Sequence, residues 1–394
     1  MGITSNERPL GVVLIGAGMI AQRHVEALSN MQPRAKLLAI VSRHPNRAKY
    51  LAEHYAGPTP LFTSDIDAVA QMPSIRIAIV ATPPSVRIEL IRTLAQSGIH
   101  VLLEKPIARN VGEALEVIQT CEQAGTLLGV LFQHRARHSS RWAKHKLESG
   151  VLGRQGYVEI QAPLWRPQSY YDELDRGTYH RDGGGVLITQ AIHTIDLALS
   201  LAGPVYRVQA MTATTPLHQM EAEDFAVAGL HFASGAMGSL VASTASFPPG
   251  GDTITIHCER GSMKLCADTA EIFWRDGRKE RYPTTSPSSI QSSAEPPNAA
   301  DPAISTTPSA SSKTHSTAQS STTESSDPYK PQSKTALHQA VIEDFIDAVE
   351  QHYPPLVAGR RALAAQQLIE AIETSSRKGQ AIVLSQQTMA GDSP

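Results

Sequence analysis

Residues 10–21, LGVVLIGAGMIA, constrain the fold more than any other stretch of the chain. A short apolar run suits a strand buried on both faces, and it breaks into Gly16-Ala17-Gly18-Met19-Ile20-Ala21. The segment that follows carries Val25, Leu28 and Met31 at helical spacing. In a strand, G-x-G-x-x-A turn and helix in succession, Gly16 permits the tight turn and Gly18 lets the backbone approach a pyrophosphate. Ala21 keeps helix and strand close, so the helix N-terminus faces the phosphates. The plainer alternative is an α/β turn that holds no phosphate.

The same alternation continues. Residues 36–42, KLLAIVS, read as a second strand, and it ends on Ser42-Arg43-His44, where such units usually place a carboxylate for the ribose 2′-hydroxyl. A hydroxyl followed by a guanidinium suits a 2′-phosphate instead, so NADP is preferred and NAD remains possible. Residues 75–81 form another strand, ending at Thr82-Pro83-Pro84. A helix over 86–97 stops at Gly98, and residues 100–106, HVLLEKP, then bring Glu104 and Lys105 to the same sheet edge. A helix over 110–124 and a strand over 127–132 complete a doubly wound parallel sheet of about six strands. Ligands of such sheets bind outside the carboxyl ends of the strands. The cofactor candidates are therefore Gly16, Gly18, Met19, Ile20, Ser42, Arg43, Thr82, Pro83, Glu104 and Lys105.

Residues 182–202, DGGGVLITQAIHTIDLALSLA, read as a glycine-opened, largely buried helix closed by Gly203-Pro204. On a helical wheel Thr189, His193, Asp196 and Ser200 fall within roughly 60° of one another. A polar stripe on an apolar helix is either an internally satisfied network or the wall of a polar cavity, because buried polar groups need partners. Just before it, residues 164–177 carry Trp165, Arg166, Gln168, Tyr170, Tyr171, Asp172 and Arg176, a loop dense in groups suited to substrate recognition. The bland reading is a surface loop.

Strands at 156–162, 205–212, 224–232, 237–243, 252–259, 261–266 and 271–274, several joined by short Gly or Asp turns, make a second, mostly antiparallel sheet. Residues 284–335 are Ser/Thr/Pro-rich and nearly free of large apolar side chains, which predicts a disordered insertion. Two amphipathic helices follow, at 336–352 and 359–374, expected to pack near the first sheet. The organisation is thus a flexible N-terminus (1–9), a dinucleotide-binding domain (10–132), an α+β substrate and oligomerisation domain (133–283 and 336–382) and the insertion.

The chain of 394 residues is long enough for two domains. Its Lys and Arg (35) nearly balance its Asp and Glu (37), with no basic run, which argues against a nucleic-acid partner. No apolar run is long enough for a membrane span. Three cysteines without metal-ligand spacing, and fifteen scattered histidines, suggest no metal site and fit a reducing, cytoplasmic setting.

The GAGMIA turn, ATPP, EKP and the G-G-G-x(7)-H-x-x-D helix, in this order, resemble the Gfo/Idh/MocA family of NAD(P)-dependent oxidoreductases. That resemblance implies a Rossmann domain followed by an open, mostly antiparallel sheet, whose free face packs on another subunit as a dimer or tetramer. It also implies Lys105 and His193 as the chemical pair, with the nicotinamide between sheet edge and helix. Trp165 and Arg166 either contact the cofactor, as a Trp-Arg pair often does in the family, or join the substrate site. Many relatives carry Asp four residues before the His, where this chain has Thr189-Gln190, similar to a subset acting on sugars and nucleotide sugars.

The chemistry expected is hydride transfer between the cofactor and a secondary alcohol of a cyclic polyhydroxy substrate such as a sugar or sugar acid. The candidate substrate contacts are Lys105, Arg166, Tyr171, Thr189, Gln190 and His193. His193 has the natural pKa for the proton, Asp196 one turn on is placed to orient it, and Lys105 is the other candidate base. A carboxylated aromatic cis-dihydrodiol is the alternative substrate, and a non-catalytic NADP-binding sensor or scaffold is the rival from another class.

Overall fold

The structure, a computed structural model, describes residues 9–283 and 332–384. The expected flexible N-terminus up to residue 8, the expected disordered insertion up to residue 331 and the tail from residue 385 lie outside the described residues.

Apolar runs build the first sheet. Strands β1 (Leu10–Ile15), β2 (Ala35–Val41), β3 (Leu61–Thr63), β4 (Ile75–Val80), β5 (His100–Glu104) and β6 (Leu128–Leu131) pair in parallel in the order β3-β2-β1-β4-β5-β6. This is the doubly wound order, with the strand order reversing between β1 and β4. Helices α1 (Ala21–Asn30), α2 (Pro45–Ala48), α3 (Ile66–Ala70), α4 (Arg87–Gln96) and α5 (Val111–Gln123) connect the strands. β3 and α3, of 3 and 5 residues, are too short for a period to register in the sequence.

After β6 come a 3-10 turn (Gln133–Ala136) and α6 (His138–Glu148), then β7 (Gln155–Pro163) and the one-turn α7 (Gln168–Tyr171). The glycine-opened segment does not begin as a helix. Gly183–Gly185 form a bend, a π turn spans Leu187–Ala191, and regular α8 runs Ile192–Ala202. The reason is close packing: a Cβ on Gly185 would sit 1.8 Å from the Glu223 carbonyl oxygen. The Glu223 carboxylate takes the N–H groups of Gly185 and Leu187, both at 3.0 Å, and so caps the opening turn.

The second sheet adds β8 (Val205–Ala213), β9 (Phe225–Phe232), β10 (Met237–Ser243), β11 (Thr253–Cys258), β12 (Gly261–Cys266), β13 (Thr269–Trp274), β14 (Lys279–Tyr282) and β15 (Ile382–Val383). Its order is β14-β13-β12-β11-β7-β10-β9-β8-β15, antiparallel except for the β7–β10 pair. Alternating burial along β9 and β11 marks one face packed and one open.

Of the two late helices, α9 (Lys334–Gln351) begins two residues earlier than its pattern implied, on a Ser333 cap. Its Val341, Ile342, Phe345, Ile346 and Val349 join Val12, Leu14, Val25 and Leu28 in the core of the first sheet. So α9 packs with the nucleotide-binding layer, whereas the domain boundaries read from sequence grouped it with the second. α10 (Gly359–Lys378) lies between the two, against β8, α8 and α5. Among the described residues no helix is long and apolar enough to cross a membrane.

Candidate active site

The carboxyl edge of the first sheet holds the turn after β1. Gly16 has φ +107°, a conformation that suits glycine, and its N–H bonds to the Val41 carbonyl at 2.9 Å. A Cβ on Gly18 would meet nothing within 4 Å, so no protein atom requires glycine there. The open space lies beside the N-terminus of α1, which no side chain caps, and Met19 projects into solvent next to it. Free N–H groups, an empty approach and the buried, unpartnered Thr82 hydroxyl fit a dinucleotide phosphate. Pro83 is exposed beside Thr82, and Ile20 is half-buried at the head of the helix.

The Ser42 hydroxyl accepts the His44 N–H at 3.2 Å. Arg43 is exposed and has no partner among the described residues.

Strand β5 delivers the next two residues in opposite senses. The Glu104 carboxylate turns inward and pairs with His24 Nε2 on α1 at 2.8 Å, with His338 Nε2 on α9 at 3.7 Å. Burial would raise its pKa, but the His24 hydrogen bond and nearby positive charge hold it at about 2. Lys105 turns the other way, and its Nζ donates to the Thr189 carbonyl at 2.6 Å. Thr189 lies within the π turn, where the ordinary i→i+4 ladder is interrupted. Burial pulls the Lys105 amine down to about 8; Glu104 opposes the shift, and the Arg87 and Arg166 charges add to it.

Arg87, fully buried, ties these turns together. It donates to the Thr82 carbonyl at 2.6 and 3.0 Å, to the Glu104 carbonyl at 2.7 Å and to the Pro106 carbonyl. No local pattern in the sequence singled it out, because its partners are main-chain atoms of two other loops.

His193 opens α8. Burial, then the Lys105 charge, then His134, hold its pKa well below the ordinary value, so it is a neutral imidazole near pH 7. Lys105 is bonded to the Thr189 carbonyl, and His193 lies four residues, about one turn, further along the same segment. Asp196 does not orient this ring. Both its oxygens are taken by Arg135, each at 2.6 Å. The rest of the stripe is satisfied locally: Thr189 Oγ1 donates to the Gly185 carbonyl at 2.6 Å and Ser200 Oγ to that of Leu197 at 2.7 Å.

The loop before α8 supplies a second group. Arg166 donates to Gln190 Oε1 at 2.8 Å, while its buried Nε has no partner. Gln190 donates in turn to the Tyr170 hydroxyl at 3.1 Å, and Arg176 does the same at 3.0 Å. Tyr171, the expected substrate contact, is turned away. Its hydroxyl bonds Thr244 at 2.6 Å in the interior, and burial pushes its pKa to about 12. Successive residues on α7 differ by about 100° in direction, so Tyr170 faces the Arg166–Gln190 pair when Tyr171 faces inward. The Trp165 ring packs between Phe247 (5.4 Å) and His218 (5.7 Å) beside them.

Two family profiles match this chain: "Oxidoreductase family, NAD-binding Rossmann fold" over residues 10–132, and "GFO/IDH/MocA C-terminal domain" over residues 140–264. The chain belongs to the Gfo/Idh/MocA family of oxidoreductases. It is 27% identical over 228 residues to the uncharacterized oxidoreductase YrbE of Bacillus subtilis, spanning 57% of this chain and 64% of that one. It is 25% identical over 276 residues to levoglucosan dehydrogenase of Pseudarthrobacter phenanthrenivorans, covering 59% and 67% of the two chains. Among solved structures, the WlbA dehydrogenase of Bordetella pertussis in complex with NADH and UDP-GlcNAcA superposes with TM-score 0.73. That match has 26% identity and covers 96% of this chain and 99% of that one. Other relatives are named D-glucoside 3-dehydrogenase, scyllo-inositol 2-dehydrogenase and D-apiose dehydrogenase, and one is a 2,7-anhydro-N-acetylneuraminate hydratase.

Proposed function

We propose that this oxidoreductase transfers a hydride between a nicotinamide cofactor and a secondary alcohol of a cyclic polyhydroxy substrate, a sugar or sugar acid. The observation that carries this reading is the buried Lys105 amine, lowered to about 8 and held by the carbonyl of Thr189, four residues before the neutral His193. Gly16, Gly18, Met19, Ile20, Thr82 and Pro83 would hold the dinucleotide, which supplies the two-electron acceptor when bound. Lys105 takes the hydroxyl proton as the C–H bond gives up its hydride, so an alcohol becomes a carbonyl and an amine becomes an ammonium. His193, too weak a base to compete, hydrogen-bonds the same oxygen. In the reverse direction the Lys105 ammonium returns the proton.

Arg166, Gln190 and Thr189 would contact a polar ring bound there, and the buried Arg166 Nε, which has no partner, suits an acceptor from substrate or cofactor. The sugar-type names of the relatives support a sugar over an aromatic dihydrodiol. The free Arg43 guanidinium after β2 supports NADP over NAD. Reduction of NADP+ and NAD+, followed at 340 nm over a panel of sugars, uronic acids, inositols and cis-diols, tests all of this. Turnover on a sugar or sugar acid with NADP+ favoured is the expected result. A tenfold preference for NAD+, about 1.4 kcal/mol, overturns the Arg43 reading. Cofactor binding without turnover on any panel member favours a sensor.

A second copy of the chain is proposed to cover the open face of the larger sheet, where Tyr157, Tyr206, Met211, Met237, Val241 and Phe273 stand exposed. Sedimentation velocity is expected to give a dimer or tetramer, and a monomer at micromolar concentration would refute it. A cytoplasmic location is proposed from the three cysteines, which are unpaired and buried or half-buried.

A further inference from the structure

His193 is the catalytic imidazole of the function proposed above, yet no hydrogen bond fixes it. Its Nδ1 is buried without a partner, and the carboxylate one turn along, Asp196, is fully engaged by Arg135. What touches the ring is aromatic. The His134 ring lies over it with centroids 4.9 Å apart and planes tilted by 33°, and the Phe132 ring meets it edge-on at 5.8 Å. The His134 contact is tilted and the Phe132 contact edge-on, and rings packed on two sides restrict the rotation of the imidazole between them.

The chain places these contacts economically. Phe132 follows β6, and His134 and Arg135 sit in the 3-10 turn behind it. Adjacent residues of that turn thus engage two residues of α8 that lie three apart: His134 stacks on His193, and Arg135 grips Asp196. Three apart is nearly one helical turn, so both contacts fall on one face of α8. The Arg135 pair sets where α8 sits, and the His134 stack sets how the imidazole is presented. His134 also borders a small cavity of mixed lining, with Arg137, Thr194 and Asp252 on it beside Leu197, Ile254, Leu265 and Ala267.

We propose that His134 is a positioning residue, whose stacked ring fixes the plane in which His193 meets the substrate oxygen. Burial and the charges of Arg137 and Lys105 hold its own pKa down at about 3, so it remains neutral and presents a flat, uncharged face. A charged ring there would repel the ammonium that Lys105 becomes.

The test compares His134→Leu with His134→Phe, since both fill the space and only the second keeps a flat ring. His134→Leu is expected to lower kcat by roughly ten- to a hundredfold with KM and cofactor binding unchanged, the scale of a misplaced catalytic group. His134→Phe is expected to restore kcat to within about threefold of the parent, since the stack survives. Full activity in the Leu variant, equal impairment of the two, or a loss confined to KM overturns the proposal. Because this inference rests on the dehydrogenase reading, ring ¹H–¹⁵N spectra of histidine-labelled protein keep it independent of turnover. One sharp set of His193 signals is expected in the parent and the Phe variant, and an exchange-broadened set in the Leu variant. Sharp signals in all three overturn the positioning role even where no substrate is turned over.

Discussion

Lys105→Met is expected to lower kcat/KM for alcohol oxidation by about 10²–10⁴-fold while NADPH still binds, because general-base assistance is commonly worth that much. The methionine keeps the length and apolar stem of the side chain and removes the amine that the Thr189 carbonyl accepts. The fold is not expected to suffer, because a buried amine that titrates near 8 is held against its own desolvation. The pH profile gives an independent check with a definite sign. A base must be unprotonated to act, and an amine with pKa about 8 is about one-tenth free at pH 7 and about half free at pH 8. Oxidation by the parent should therefore rise through pH 7–8 and level off above about 9, and reduction should fall over the same range. His193, whose pKa lies well below its ordinary value, titrates on the acid side and cannot produce that rise. A parent profile flat from pH 7 to 9, or a Lys105→Met variant within tenfold of the parent, removes Lys105 as the proton acceptor.

How far the sequence foretold this site depends on the range of each interaction. Strand, turn and helix at the N-terminus are local, and continuous apolar runs suit buried parallel strands, so the first sheet was legible as parallel and doubly wound, apart from the three-residue β3. Lys105 and His193 stood out as candidates because each sits in a short motif that resembles the family's. Their companions were not. Arg135 and Asp196 are 61 residues apart, and His24 and Glu104 are 80 apart. His338, which approaches Glu104 at 3.7 Å, lies on a helix beyond the Ser/Thr/Pro-rich segment. Nothing local in the sequence reports such pairs. Asp196 was assigned to His193 because the two share a helix face. A guanidinium with bidentate geometry outcompetes a neighbouring imidazole for a buried carboxylate. Tyr171 was chosen over Tyr170 within one dense loop, where only the direction of a one-turn helix separates substrate contact from core. The π turn was equally hidden: residues 186–202 have a good helical pattern throughout, and the Glu223 cap and the Lys105 bond reveal where the ladder opens.

Arg135→Met is expected to be the most destabilising of the variants considered, by about 3–5 kcal/mol, since it leaves a buried carboxylate without its partner. Asp196 is 1% exposed on its side chain and Arg135 13%, so little water reaches either group to compensate. The loss should have a pH signature. Burial raises the Asp196 pKa, and Arg135 is what opposes that rise. Without the guanidinium the folded state prefers the protonated acid over a wider range than the unfolded chain does. The folded state then binds more protons, and stability falls as pH rises through that range. The variant should therefore lie closest to the parent near pH 5 and furthest from it near pH 8, in thermal unfolding followed by circular dichroism. The double variant Arg135→Met with Asp196→Leu removes both charges together and should recover much of the loss, because an apolar pair of similar volume is often no worse than a buried ion pair. A deficit independent of pH, or a double variant less stable than Arg135→Met alone, would mean that Arg135 acts through its packing. The Asp196 carboxylate would then have to find solvent or another donor beside α8.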